Sequence, residues 1–297
     1  MTDVTPTIDT GAPELLVDLP SETGEGPLWH EENCCLYWVD IPVGRLFRYD
    51  PETGSNETVY RHDGAIGGYT FQQDGSLILF CKGGAILRLI GGETEPVVPE
   101  VEALRESRFN DVIADPEGRI FCGSMPLGGG SAHLYRLDPD GSLTLVFDDL
   151  TLSNGMGFSP DLKMMYLSDS NSRQIFRMDY DRKTGEVRNR EVLITVPDEG
   201  TVPDGMAVDT EGNIWSARWD GSGLYKYSPE GELLGKVQFP VRKVSSVTFG
   251  GPNYDIAYVT TAGGKQRSME EGMQAGGLFQ IDLKTTGRPP FRSRIAM

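Results

Sequence analysis

Residues 202–212 read Val202-Pro203-Asp204-Gly205-Met206-Ala207-Val208-Asp209-Thr210-Glu211-Gly212, which is a polar strand entrance, an apolar run and a glycine-containing turn. The same pattern occurs earlier in the chain around Asn154 and Asn110, and a looser copy surrounds Glu25. We call the residue at the start of each copy its entrance residue. In these four copies the entrance side chain carries an oxygen atom, and the rest of the chain is organised around this repeat.

Alignment of the apolar runs extends the repeat to six copies, spaced by 42, 43, 44, 50 and 41 residues. The entrance residues are Glu25, Gly67, Asn110, Asn154, Asp204 and Ser245. A second phrase, as in residues 44–50 and 173–179, also occurs six times. Short alternating segments with Gly, Pro and Asp turns predict four strands per copy, and a period of about 40–50 residues is typical of a propeller blade. The sequence therefore predicts an all-β, six-bladed β-propeller with four-stranded blades.

The chain shows no linker or shift in composition, so residues 1–297 are interpreted as one domain with a loose N-terminus over residues 1–13. A short strand near residues 15–19 is expected to complete the last blade and close the ring. An open ring would leave two unpaired sheet edges, which natural proteins avoid. Helical periodicity occurs only around residues 101–106.

Composition excludes several classes of partner. The formal net charge of −17 argues against binding to nucleic acid or to anionic membranes, because both repel such a surface. No apolar run approaches the ~20 residues needed to span a bilayer. Residues 1–12 show no secretory signal, and the four cysteines form no CxxC pair. Reduced thiols and a cytoplasmic location are the resulting expectations.

The innermost strand of each propeller blade lines the central channel, so equivalent entrance residues should form a ring at one mouth. Two carboxylates (Glu25, Asp204) and two carboxamides (Asn110, Asn154) would converge there. Such a cluster is costly unless a positive charge lies within it, and a hard divalent cation would satisfy all four through oxygen. The alternative is that these residues only cap turns, as Asn and Asp often do. With only three histidines in the chain, a three-histidine zinc site is not expected.

At these positions the chain resembles the gluconolactonase, or senescence-marker-protein/regucalcin, family of sugar lactonases. The resemblance covers about residues 14–290 and agrees with a six-bladed propeller. It is carried by Gly24-Glu25-Gly26-Pro27, Arg108-Phe109-Asn110-Asp111, Ser153-Asn154-Gly155 and Pro203-Asp204-Gly205.

The resemblance implies that Glu25, Asn154 and Asp204 bind one divalent metal ion, and that Arg108 and Asn110 contact the substrate. Calcium or zinc is expected, and manganese, magnesium or iron would also suit such a site. The implied reaction is hydrolysis of a sugar-acid lactone of the gluconolactone, xylonolactone or arabinonolactone type to the open aldonic acid. The metal would polarise the lactone carbonyl and Asp204 would accept a proton from water. The alternative is that water is activated at the metal without Asp204, because coordination lowers the basicity of a carboxylate.

Two other functions fit the same scaffold: hydrolysis of organophosphates, as in diisopropyl-fluorophosphatase, and a non-catalytic calcium-binding propeller. A monomer and a homodimer are both compatible with the sequence. One departure from the family concerns the loop at residues 125–130. Some animal members carry a substrate-contacting glutamate there, whereas this loop has no acidic residue. The pocket wall must therefore differ; the candidates for shaping it are Trp29 (alternatively blade core), Tyr69, Trp219 and Thr261.

Overall fold

A computed structural model describes residues 5–126, 128 and 130–296 of the chain. These residues form twenty-four β-strands and two three-residue 3₁₀ turns, Glu102–Leu104 and Gly264–Gln266. In chain order the strands are β1 (Glu14–Val17), β2 (Gly24–His30), β3 (Cys35–Asp40), β4 (Arg45–Asp50), β5 (Ser55–Arg61), β6 (Ile66–Phe71), β7 (Leu77–Cys81), β8 (Ile86–Ile90), β9 (Glu93–Val98), β10 (Phe109–Ala114), β11 (Ile120–Ser124), β12 (Ala132–Leu137), β13 (Leu143–Leu150), β14 (Ser153–Phe158), β15 (Met164–Asp169), β16 (Gln174–Asp181), β17 (Glu186–Thr195), β18 (Val202–Val208), β19 (Ile214–Trp219), β20 (Gly223–Tyr227), β21 (Leu233–Gln238), β22 (Val244–Gly250), β23 (Ile256–Thr261) and β24 (Leu278–Ile281).

The strands form six four-stranded antiparallel sheets, which are the blades of a six-bladed β-propeller. Within blades one to five the strand order in space follows the chain, from β2-β3-β4-β5 in the first blade to β18-β19-β20-β21 in the fifth. The sixth blade has the order β22-β23-β24-β1, so the N-terminal strand is its outermost strand. Pairing of Leu15 with Phe279 joins the two ends of the chain. The predicted fold and the closure of the ring are thus confirmed.

Each of the six innermost strands interrupts its pairing at the entrance residue. The register shifts between Glu25 and Leu28 in β2, and the equivalent shift in β18 lies between Pro203 and Met206. The inner strands of the other four blades shift at the same place. A bulge of this kind re-aims a side chain and bends the strand. Along a regular strand, consecutive side chains point to opposite faces of the sheet, and the bulge removes this alternation at the mouth.

The inner strands approach one another so closely that glycine is required beside the entrance residues. A Cβ atom at Gly155 would lie 2.5 Å from the backbone oxygen of Asp204. A Cβ atom at Gly205 would lie 2.1 Å from Oγ of Ser246 in the next blade. Both distances are too short for a non-bonded contact. The small space between neighbouring inner strands therefore requires glycine directly after Asn154 and after Asp204.

Apolar side chains fill the spaces between neighbouring blades. Trp29 is buried in the largest of these clusters and stacks on Tyr258 with 5.7 Å between ring centroids. It therefore belongs to the blade core and is no part of a pocket wall. Aromatic pairs of this kind contribute about 0.5–1.5 kcal/mol beyond their buried area. All four cysteines are free, and only Cys34 is exposed.

Before β1, part of the predicted loose terminus makes backbone contacts. Ile8 donates its N–H to the carbonyl oxygen of Lys236, and Lys236 donates its own N–H to Pro6. Residues 1–4 of that terminus lie outside the described part of the chain. Nowhere in the described ranges is there a helix long and apolar enough to cross a membrane.

A C-terminal strap, residues 285–296, crosses the far end of the propeller axis, opposite the entrance residues. It forms a hydrogen bond or an ion pair with every blade. Its partners in blades one to six are Glu32, Phe71, Gly118, Ser159, Thr210 and Tyr254. Near its end, Gln72 Nε2 donates to the carbonyl oxygen of Ile295 at 2.6 Å, and the N–H of Ile295 donates to Gln72 Oε1 at 3.1 Å. The strap thus holds together blades that are distant in sequence.

We expect Gln72→Ala to lower the free energy of unfolding by about 2–4 kcal/mol, because two buried backbone groups of Ile295 lose their partners. Urea unfolding followed by tryptophan fluorescence measures the change. The neighbouring exposed residue supplies the control, Gln73→Ala, which should change stability by less than about 0.5 kcal/mol. Equal stability of the two variants would show that the bonds between Gln72 and Ile295 do not contribute to stability.

Candidate active site

The structure brings the four oxygen-bearing entrance residues to one mouth of the channel. Glu25, Asn110, Asn154 and Asp204 are each buried and lie at the start of β2, β10, β14 and β18. These inner strands contact one another around the axis in the order of the blades. The sequence prediction that the chain assembles these residues in one place agrees with this arrangement.

Asn154 and Asp204 form the centre of a hydrogen-bond network between blades four and five. Asn154 Nδ2 donates to Asp204 Oδ1 and also to Oγ of Ser170, at 3.2 Å. Ser170 in turn donates to the carbonyl oxygen of Pro203 at 2.7 Å. Because both N–H groups of the Asn154 carboxamide are used, its oxygen remains as an acceptor for a ligand.

Asn110 has a different role in the geometry. Its Nδ2 donates to the carbonyl oxygen of Ser153 at 2.9 Å, and its Oδ1 accepts from Arg108 Nη1 at 2.7 Å. Arg108 Nη1 also donates to the carbonyl oxygen of Phe109. Every side-chain hydrogen bond that Arg108 makes to the described residues uses Nη1, which leaves Nη2 and Nε for another partner. The guanidinium and Asn110 thus form one side of the mouth.

Burial and mutual repulsion dominate the electrostatics of the mouth. Desolvation raises the pKa of the Glu25 carboxyl well above its usual value, and the charges of Asp204 and Asp111 raise it further. Desolvation likewise raises the pKa of Asp204, followed by repulsion from Asp111. Burial also lowers the pKa of Arg108 to about 10, although Glu25 and Asp204 oppose that shift. All four groups therefore share one poorly solvated space.

Asp111 is a residue that the sequence interpretation did not assign to the site. It follows Asn110 directly, so regular strand alternation would turn it to the opposite face. The register shift between Phe109 and Val112 removes that alternation, and Asp111 joins the electrostatic cluster. Burial raises its pKa to about 6. Its adjacency to an entrance residue was the only available signal.

The donor set of the mouth fits a divalent cation. Three carboxylates (Glu25, Asp111, Asp204) face one guanidinium, which leaves two negative charges without compensation when all are ionised. No cluster of three His, Cys, Asp or Glu side chains with metal-binding spacing occurs within the described ranges. A cation at the mouth would therefore take two carboxylates together with carboxamide oxygen, a set suited to hard cations.

Among the remaining entrance residues and pocket candidates, Gly67, Ser245 and Thr261 have structural roles. Gly67 is required because a Cβ atom there would lie 2.0 Å from the backbone oxygen of Phe109. Ser245 Oγ donates to the carbonyl oxygen of Gly24, and Thr261 Oγ1 donates to that of Gly277. Both hydroxyl groups thus join neighbouring parts of the backbone.

Beyond the entrance residues, the channel contains a cavity of about 140 Å³. The inner strands line it, with Tyr69, Asp111 and Met206 among the residues, and the C-terminal strap contributes Pro290 and Phe291 to the lining. Tyr69 therefore lies along the channel, whereas Trp219 lies half-buried at the end of β19, on the side of the mouth. Of the loop at 125–130, Leu127 and Gly129 lie outside the described residues.

Comparison with known proteins gives consistent matches. Residues 23–263 match the model of the SMP-30/Gluconolactonase/LRE-like region. The chain is 44% identical to the pentonolactonase XacC of Haloferax volcanii over 95% of this chain and 98% of the relative. A solved gluconolactonase from Xanthomonas campestris superimposes with a TM-score of 0.75 at 25% identity, covering 94% of this chain and 97% of that one. A solved calcium-binding protein, regucalcin from Agrobacterium tumefaciens, has a TM-score of 0.91 over 98% of this chain and 100% of its own; at 22% identity it shows the fold alone.

We expect Glu25→Gln to raise the free energy of unfolding of chelator-treated protein at pH 8 and to change it much less at pH 4. The pKa of Glu25 in the folded protein lies above its usual value of 4.5. The contribution of protonated Glu25 to stability is therefore fully present below about pH 4.5, and it is lost as the pH rises through the raised pKa of the folded protein. Removing the charge removes this loss.

Urea unfolding at the two pH values, in the presence of a chelator, measures this difference. Glu232→Gln, at an exposed turn, is the control and should show no dependence on pH of this kind. A Glu25→Gln variant that is destabilised more at pH 8 than at pH 4 would mean that the carboxylate is stabilised rather than repelled in the folded protein.

Proposed function

The chain belongs to the SMP-30/gluconolactonase/LRE-like family and is a lactonase, and from this premise we propose that it hydrolyses the lactone of a sugar acid to the open aldonic acid. The observation that carries the proposal is the meeting of Glu25, Asn154 and Asp204 from three blades beside Arg108. Among the candidate substrates, the pentonolactones xylonolactone and arabinonolactone are favoured over gluconolactone. The similarity to a pentonolactonase extends over nearly the full length of both chains.

Glu25, Asn154 and Asp204 would hold one divalent cation, and the cation when bound would polarise the lactone carbonyl. The oxygen-only donor set favours calcium, and the regucalcin with the same fold is itself a calcium-binding protein. Zinc, manganese, magnesium and iron remain to be compared by experiment. Asp111 adds negative charge nearby and would strengthen the preference for a divalent over a monovalent ion.

In the reaction, water loses a proton to Asp204 as its oxygen bonds to the carbonyl carbon. The ring C–O bond then breaks, the ring oxygen takes the proton from Asp204 to become a hydroxyl group, and the new carboxylic acid releases its proton to solvent. Asp204 Oδ1 already accepts a hydrogen bond from Asn154, which leaves Oδ2 as the atom to take the proton. The N–H groups on Nη2 and Nε of Arg108 would donate hydrogen bonds to oxygen atoms of the substrate. Asn110 orients that guanidinium through the bond to Nη1.

We expect Asp204→Ala to lower kcat on xylonolactone, arabinonolactone and gluconolactone by about 10²–10⁴-fold, because a positioned base contributes a factor of that size. Asp161→Ala, in a mostly exposed turn at the far end of blade four, is the control and should keep wild-type turnover. Acid release measured with a pH indicator gives the rates. Near wild-type turnover in both Asp204→Ala and Glu25→Gln would show that the site is assigned to the wrong residues.

We expect the metal-stripped protein to lose lactonase activity and to regain it with some divalent ions and not with others. The measurement is a lactone panel on protein reconstituted with calcium, zinc, manganese, magnesium or iron(II), with fluorophosphates as competing substrates. Thermal unfolding with and without each ion reports binding separately from turnover. A melting temperature that falls on chelation, without turnover of any lactone, would favour the non-catalytic calcium-binding propeller. Turnover of fluorophosphates alone would favour the organophosphate hydrolase.

A further inference from the structure

The repeat register identifies a second cationic position at the mouth. Arg108 lies two residues before the entrance residue of blade three, and Lys243 lies two residues before Ser245, the entrance residue of blade six. The backbone confirms that the two positions are equivalent. Met125 donates its N–H to the carbonyl oxygen of Arg108 at 3.1 Å, and Ala262 donates to that of Lys243 at the same distance.

Only blades three and six place a charge at this position. The other four blades carry Thr23, Ala65, Leu152 and Val202 there. In a ring of six blades, the third and the sixth lie opposite each other across the axis. The two positions therefore lie on opposite sides of the mouth.

The Lys243 side chain is held in place but is not saturated. Its Nζ donates to Oε2 of Glu271, lies 3.6 Å from Oδ1 of Asp220, and lies 5.8 Å from the centre of the Trp219 ring. An ammonium group carries three N–H donors. Within the described part of the chain, the bond to Glu271 is the only hydrogen bond that Nζ makes. The side chain is 13% exposed and is therefore not fully enclosed by the protein.

Glu271 belongs to the connection between β23 and β24, residues 262–277. This is the counterpart in blade six of the 125–131 connection in blade three, whose residues 125–130 include no acid. The C-terminal end of this longer connection packs closely on the segment before β2: a Cβ atom at Gly276 would lie 2.4 Å from the backbone oxygen of Ser21. Glu271 also accepts the N–H of Arg242 on its backbone oxygen. The carboxylate is thus fixed beside Lys243. Its Oε1 accepts one long hydrogen bond, from Arg242 Nη1 at 3.5 Å, and a carboxylate oxygen can accept a second.

We propose that Lys243 and Glu271 form a second substrate-recognition wall of the mouth, opposite Arg108, that binds ring hydroxyl groups of the lactone. The ammonium donates to a hydroxyl oxygen, and the carboxylate accepts a hydroxyl proton. A rigid donor–acceptor pair discriminates strongly between a substrate that carries the hydroxyl groups and one that lacks them. The inference rests on the proposed lactonase function and assigns specificity for polyhydroxylated lactones to this pair.

The test compares wild type, Lys243→Met and Glu271→Gln on two substrates: a pentonolactone and γ-butyrolactone, whose ring has no hydroxyl groups. For the pentonolactone we expect KM to rise about tenfold, as the loss of a hydrogen bond to a charged group predicts, while kcat changes by less than about threefold. For γ-butyrolactone we expect kcat/KM to stay within about twofold of wild type. Lys265→Met, which removes a lysine that pairs with Glu22 from the same connection, is the matched control and should leave both substrates unaffected.

A loss of kcat/KM that is equal on both lactones, or no loss in variants that melt cooperatively, would overturn the inference. An equal loss would mean that the ion pair only anchors the connection. A wild-type protein that hydrolyses neither lactone would overturn the proposed function and this inference with it.

Discussion

Convergence of six inner strands on one axis is the constraint on which the rest of the structure depends. At Gly155 and Gly205 the space between neighbouring strands admits no Cβ atom. Each strand breaks its register at the same point, which turns the entrance side chains toward one another. Closure by β1 and by the C-terminal strap stabilises this arrangement, because the inner strands could move apart if the ring opened.

The convergence brings carboxylates that repel one another into one buried space, and the protein's own groups compensate their charge only in part. Glu25 and Asp204 are buried together, Asp111 adds a third carboxylate, and Arg108 supplies one positive charge. Hydrogen bonds from Asn154 and from backbone N–H groups reduce the repulsion between the acids without removing it. A buried surplus of negative charge with unshared oxygen atoms is a suitable site for a divalent cation, and the same cation could activate a carbonyl group.

Approximate rotational symmetry also explains how different blades place different side chains at equivalent positions around the mouth. Equivalent positions keep the same backbone hydrogen bonds, so a side chain can change while its location relative to the axis stays constant. Blade five contributes an acid and blade four a carboxamide, whereas blades two and six contribute packing through Gly67 and Ser245. Two residues before the entrance, blades three and six contribute cations. Substrate recognition in such a fold can therefore be relocated from one blade to another without a change of the scaffold.

The sequence by itself determined the number of blades, the closure by the N-terminal strand and the entrance residues, because a period of about 40–50 residues and turn chemistry are local properties of the chain. It left Trp29 between blade core and pocket wall, and tertiary packing places that ring in the core against Tyr258. Only the tertiary structure decided that Asp111 joins the acids, that Asn110 turns its oxygen to Arg108, and that Lys243 pairs with Glu271. These outcomes depend on bulges and on contacts between residues far apart in the chain, which no local pattern encodes.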